Sequence, residues 1–199
     1  SWRPHPKSMS LGQLALHALA CVAGFAVSLV MSGGWRSDHA SIGPTTNIFF
    51  RPFLERGYTV CAVVHGSAPK FTIAEIAPQI RRAVQFVRAN AKVTGLDPDR
   101  VGITGGSAGG HLSLLAGMWP AEANPRSKDY VERVSGKIAA VACFYPPTDF
   151  LNWGETGKNV LQSPNIGPYM AAFDFHEFSE QTHMMMLVNE EHRTELLRE

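Results

Sequence analysis

Apolar residues along this chain fall into three kinds of pattern, and each predicts a different element. Short runs that are apolar at nearly every position, without alternation, mark strands covered on both faces. Residues 25–31, 59–64, 101–104 and 138–144 are of this kind. Between them lie helical stripes. Ile76, Ile80, Val84 and Val87 recur at helical spacings, which puts them on one face of a helix running from an N-cap at Thr72 to about Thr94. Phe49, Phe50, Phe53 and Leu54 share one side of a second helix over 47–56, closed by Gly57. Leu112, Leu114, Leu115 and Met118 define a third over 108–118. The remaining pattern is a long uncharged stretch, 9–35, largely apolar from Leu11 to Met31. It reads as a helix-prone segment to about Ala23 followed by the strand 25–31. A membrane anchor over 11–31 is the weaker reading, opposed by Gln13, His17, Ser28 and the immediate glycine turn at Gly33-Gly34.

Strands without alternation, separated by amphipathic helices, predict an α/β fold: a mostly parallel sheet flanked by helices. After Pro146 this rhythm is lost, and 150–185 mixes aromatics, Gly, Pro and the Met184-Met185-Met186 run. The expected organisation is an unexplained segment at 1–24, a core at 25–149, and an insertion or cap at 150–199. The chain starts at Ser1 and stops within a predicted helix, so both ends read as cut.

Composition narrows the field modestly. With 45% hydrophobic and 18% charged residues, the 199-residue chain can bury one sizeable core. Eighteen Lys+Arg against 17 Asp+Glu, without a basic stripe or acidic tail, argue against nucleic acid and anionic surfaces as partners. Three distant cysteines, Cys21, Cys61 and Cys143, fit buried free thiols rather than a disulfide framework or a zinc site.

The chemistry concentrates in Val101-Gly102-Ile103-Thr104-Gly105-Gly106-Ser107-Ala108-Gly109-Gly110-His111. Gly105-x-Ser107-x-Gly109 matches the G-x-S-x-G nucleophile elbow, and here the motif has its required context, a strand before and an apolar helix after. A serine at so sharp a turn takes a strained backbone, and glycines two before and two after let strand and helix approach. No G-x-G-x-x-G and no P-loop lysine support a nucleotide site. Attack on a carbonyl also needs N–H donors for the developing oxyanion. Ala108 supplies one, and the turn Ser32-Gly33-Gly34-Trp35 is placed to supply a second from Gly33 or Gly34.

These segments, with Gly57-Tyr58-Thr59-Val60 and the helix around Arg82–Arg88, resemble the esterase/lipase branch of the α/β-hydrolases. The nearest group is the one related to bacterial feruloyl and acetyl-xylan esterases, called BD-FAE-like. The resemblance covers about residues 25–150. It implies Ser107 as nucleophile, an oxyanion hole from Gly33, Gly34 and Ala108, and no metal or organic cofactor. The family turn is usually His-Gly-Gly-Gly-Trp; Ser32 leaves only two glycines here, so the choice of donor stays open. Trp35 and Asp149 are candidate pocket residues, and Trp153, Tyr145 and Phe150 are further aromatics for an acyl group. His65 and His111 read as structural.

Chain order in this fold is Ser, then acid, then His. Of the later histidines, His176 is the least poor substitute base, ahead of His183 and His192, and the triad acid and histidine are expected beyond Glu199. The chain alone is then expected to be nearly inactive. The leading function is cleavage of small carboxylic esters, carbohydrate-linked ones included, through an acyl-enzyme on Ser107. A prolyl-oligopeptidase-type peptidase and a non-catalytic or truncated binding protein of the same fold are the alternatives.

Overall fold

Residues 17–19 and 26–198 are described by the structure, a computed structural model. Strands β1 (His17–Leu19), β2 (Ala26–Val30), β3 (Thr59–Val63), β4 (Val101–Gly106) and β5 (Ala140–Phe144) form one sheet in the order β1-β3-β2-β4-β5. β1 runs antiparallel to β3, and every other pairing is parallel. Parallel neighbours require crossovers, and the helical stretch 42–54 and the helices Ile73–Ala89 and Ala108–Met118 supply them. The fold is therefore the mostly parallel α/β sheet that the apolar runs predict.

The unbroken apolar runs have a simple cause. Side chains alternate along a strand, and each side of this sheet faces its own core. Ala26, Val30, Cys61, Val63, Val101 and Ile103 enter one core with the two long helices. Leu29, Met31, Val60, Ala62 and Val64 enter the other, under Phe50, Phe53 and Leu54. The stripe Ile76, Ile80, Val84 and Val87 is at most 2% exposed, as its spacing requires. That helix starts at a capping box in which Glu75 Oε2 accepts from Thr72 N–H at 2.9 Å. Burial pushes the Cys61 thiol up to about 11, so it is an inert core residue, whereas Cys143 is only half-buried.

Three expectations are corrected. His17–Leu19 is a strand rather than part of a helix reaching residue 23, because the outer edge of β3 offers a ladder that local propensity does not register. The rest of that helix-prone segment lies outside the described residues. The helix expected at 47–56 begins earlier, near Ile42, and ends at Leu54. The strand expected to be buried at 138–144 is Ala140–Phe144, and it is exposed. Among the described residues the only strand it pairs with is β4, leaving Val141 and Phe144 38% and 54% exposed.

Beyond Pro146 the chain forms 3-10 segments at Val160–Gln162 and Pro164–Phe173, a hairpin of β6 (His176–Ser179) and β7 (Met184–Leu187), and the helix Glu190–Leu196. Val160, Ile166 and Phe173 are buried in the first core. Among the described residues no helix is long and apolar enough to cross a membrane.

Candidate nucleophile site

Ser107 stands between the end of β4 and the start of the Ala108–Met118 helix, with φ 53° and ψ −125°. A non-glycine residue persists there only when its surroundings over-determine it. They do so on both sides. Ser107 N–H donates to Phe144 O on β5 at 2.9 Å, and Ser107 O accepts from His111 N–H at 3.0 Å.

The flanking glycines sit where backbones touch. A Cβ on Gly105 would lie 2.5 Å from the carbonyl of Gly109, and one on Gly109 would lie 2.6 Å from Val30 O. In both cases the obstacle is backbone, which cannot swing aside. Gly109→Ala is therefore expected to lower stability by about 1–3 kcal/mol. Gly167→Ala, whose added carbon meets open space, should stay within about 0.5 kcal/mol. Urea-unfolding midpoints of the two variants check the contrast.

The side chain of Ser107 is half-buried and borders a cleft of about 430 Å³ together with Ser32, Gly33, Arg36, Asp38 and Tyr145. Ala108 opens an 11-residue helix, so its N–H has no intrahelical acceptor and lies beside the serine. The second candidate donor comes from a tight reversal. Gly33 and Arg36 exchange backbone hydrogen bonds at 3.0 and 3.1 Å around Gly34 and Trp35, whose φ values are 57° and 58°. Two successive positive φ values define a primed turn, which glycine accepts readily and tryptophan does not. Gly33 borders the cleft, yet its N–H already serves Arg36 O; Gly34 lies under the Tyr169 ring.

Trp35 tolerates its φ because its ring is anchored. It is 3% exposed, edge-on to Phe173 at 5.0 Å, and its Nε1–H donates to His111 Nδ1 at 3.3 Å. The elbow helix is tied to the same segment through Gly109 N–H to Ser32 O at 3.2 Å.

The sequence profile of the BD-FAE family matches residues 24–193. The chain belongs to this family. Its curated relatives include the probable carboxylic ester hydrolase LipM of Mycobacterium tuberculosis, 36% identical over 48% of this chain and 22% of that protein. Esterase LipQ of the same organism is 31% identical over 50% of this chain and 23% of its own length. The chain thus spans under a quarter of either relative. Among solved structures, an esterase from Thermogutta terrifontis superposes with a TM-score of 0.52 at 26% identity, covering 63% of this chain and 45% of that one. An acetyl ester-xyloside bifunctional hydrolase from Caldicellulosiruptor lactoaceticus shares the fold, with a TM-score of 0.57 at 23% identity, covering 80% and 60%.

In this BD-FAE chain Ser107 and Gly33 border one cleft and Ala108 follows the serine at the helix start, whereas Gly34 faces the Tyr169 ring and two expected pocket residues are set apart. Trp35 faces the core rather than the cleft, because its positive φ turns the side chain inward. Asp149 is exposed and caps its own loop, accepting from the N–H groups of Leu151 and Asn152 at 2.9 Å each. Bonds from the Asn152 side chain and these two amides hold its carboxyl below the usual carboxylate range. Phe150 and Trp153 stack on each other against the core, whereas Tyr145 does border the cleft, at φ 38°. Arg36 and Asp38 were not foreseen, although both follow directly on the glycine turn.

Among the described residues no histidine lines the cleft. His111 is buried with Nδ1 occupied by Trp35, and burial pushes it down to about 4. His65 is equally buried, its Nδ1 against Gly66 O at 2.6 Å. His176 is exposed on β6, and His192 pairs with Glu177 at 3.4 Å. No group of three His, Cys, Asp or Glu able to hold a metal occurs among the described residues.

Proposed function

We propose that this chain carries the nucleophile and oxyanion hole of a serine hydrolase acting on small carboxylic esters. The observation that carries the reading is Ser107 itself: a non-glycine residue held at φ 53° at a helix N-terminus, on the border of a cleft. Strain of this kind marks functional positions. Membership of the BD-FAE family and two curated relatives named as ester hydrolases support ester over amide substrates.

In the proposed reaction Ser107 Oγ attacks the acyl carbon while its proton passes to a histidine from outside the described residues. The carbonyl oxygen becomes an oxyanion beside Ala108 N–H and the Gly33-Gly34 turn. The tetrahedral intermediate collapses, the C–O bond to the alcohol breaks, and the histidine protonates the leaving alkoxide. Water then adds to the acyl-enzyme and the acid is released. A cleft of about 430 Å³ suits a small acyl group and part of an alcohol, a carbohydrate alcohol included.

Labelling the full-length gene product with a neutral fluorophosphonate tests this. Attack by Ser107 Oγ on phosphorus expels fluoride and adds the phosphonyl mass to the peptide containing Ser107. We expect that adduct, and its loss in Ser107→Ala. A folded full-length protein that stays unlabelled would favour the binding-protein reading, and labelled protein that cleaves peptides but not esters would favour the peptidase.

A further inference from the structure

We propose that Ser67 is a positioning residue for the oxyanion turn, an inference that rests on the hydrolase reading above. Ser67 lies in the loop after β3, 30 residues from its partner Ser37, which follows the turn directly. Its Oγ accepts from Ser37 N–H at 2.8 Å and donates to Ser37 O at 2.8 Å, so one hydroxyl satisfies both backbone groups of one residue. The next residue extends the clamp, since Ala68 N–H donates to Trp35 O at 3.3 Å.

The clamp stands on a rigid base. Gly66 N–H donates to Gln79 Oε1, on the long helix, at 2.7 Å. Ser67 O accepts from the N–H groups of Lys70 and Phe71 at 3.0 and 3.1 Å. A Cβ on Gly66 would lie 2.4 Å from the Phe71 ring, so the loop closes tightly over that side chain.

What the clamp positions follows from the rest of the segment. Ser32 is held by Gly109 N–H, Trp35 by Ala68 and His111, and Ser37 by Ser67. Between the first two anchors lie Gly33 and Gly34, which have no side chains with which to hold themselves. The Gly33–Arg36 backbone pair closes the turn on itself, so its placement against Ser107 depends on the anchors at either end, and Ser37, next to Arg36, borders the same cleft. Removing the hydroxyl releases one flank and leaves the substrate-contacting surface chemically unchanged. Donors misplaced by a fraction of an ångström act mainly on the transition state, so the effect belongs in kcat.

The test uses Ser67→Ala and Ser67→Thr in the full-length gene product, with a p-nitrophenyl ester and a neutral fluorophosphonate as probes. Ser67→Ala is expected to lower kcat roughly 10- to 100-fold, below the loss from deleting an oxyanion donor, with KM within about twofold. The saturated phosphonylation rate should fall by a similar factor. Ser67→Thr, which keeps the hydroxyl, should stay within about threefold of the parent. A Ser67→Ala kcat within about twofold of the parent overturns the positioning role and leaves the hydrolase reading intact. So does a loss that the threonine variant shares and that follows the thermal midpoint, because it would be structural only. A parent protein without Ser107 labelling overturns the underlying reading and this inference with it.

Discussion

Ser107→Ala in the full-length gene product is expected to lower kcat for ester hydrolysis by roughly 10⁴- to 10⁶-fold, with KM and fold little changed. The size of the loss follows from what the serine does. The proposed acyl-enzyme forms on Ser107 Oγ, and alanine removes that oxygen, so the acyl-enzyme route closes. The small effect on folding follows from its surroundings, because both bonds that hold residue 107 run through its backbone, to Phe144 O and from His111 N–H. A second substitution separates chemistry from strain. Alanine removes the oxygen and keeps the φ 53°, ψ −125° backbone, whereas glycine removes the oxygen and accepts that backbone freely. Ser107→Gly should therefore be as inactive as Ser107→Ala but more stable by about 1–3 kcal/mol. Steady-state kinetics and urea unfolding of both variants read the two effects independently. Equal stabilities would mean that the elbow is relaxed, and an alanine variant retaining activity would remove Ser107 from the reaction.

The elbow was legible because its requirements are local. Gly105, Ser107 and Gly109 stand at fixed spacings between an apolar strand and an apolar helix, and the physical demand behind that spacing is that a Cβ at either glycine would lie 2.5–2.6 Å from backbone atoms. Ile76, Ile80, Val84 and Val87 were legible for a similar reason, since helical periodicity alone selects a buried face. Trp35 was not. Its neighbours in sequence, Gly33 and Gly34, were expected to serve the site, but a backbone at φ 58° reverses the direction of the side chain, and nothing in composition announces a positive φ at tryptophan. β5 failed differently. An unbroken apolar run reports that both faces tolerate burial, not that anything covers them, and Val141 and Phe144 are left exposed. The β6–β7 hairpin escaped notice because Met184-Met185-Met186-Leu187 lacks the alternation that distinguishes a strand, and all four residues are exposed. Ser67 carries no motif at all; only the fold brings it within 2.8 Å of Ser37.

Stability of this fold should fall as pH drops from about 6.5 towards 4, through two buried histidines. Burial pushes His65 down to about 4, against the opposing pull of the Gly66 carbonyl, and burial pushes His111 down to about 4 as well. Both are neutral in the folded protein at pH 7 and free to protonate at about 6.5 once unfolded. The unfolded chain therefore binds more protons between these values, and stability rises with pH across that window. The contribution is fully present above pH 6.5, is lost progressively as pH falls, and is gone below about 4, at roughly 3 kcal/mol per histidine. Asp149, held below 3.8 by Asn152 and Leu151, titrates under this window and cannot account for the loss. For His111 the geometry states the conflict directly. Nδ1 accepts from Trp35 Nε1–H, so a proton placed on Nδ1 sets two donors against each other at 3.3 Å. The ring that would have to yield is the one anchoring the Gly33–Arg36 turn. Urea unfolding at pH 7.0 and 4.5 is expected to show the loss. His111→Gln, which offers Trp35 an acceptor that cannot be protonated in this range, should remove about half of the pH dependence. A pH profile unchanged by that substitution would mean that His111 does not couple folding to protons, and that the Trp35 anchor does not depend on its neutral form.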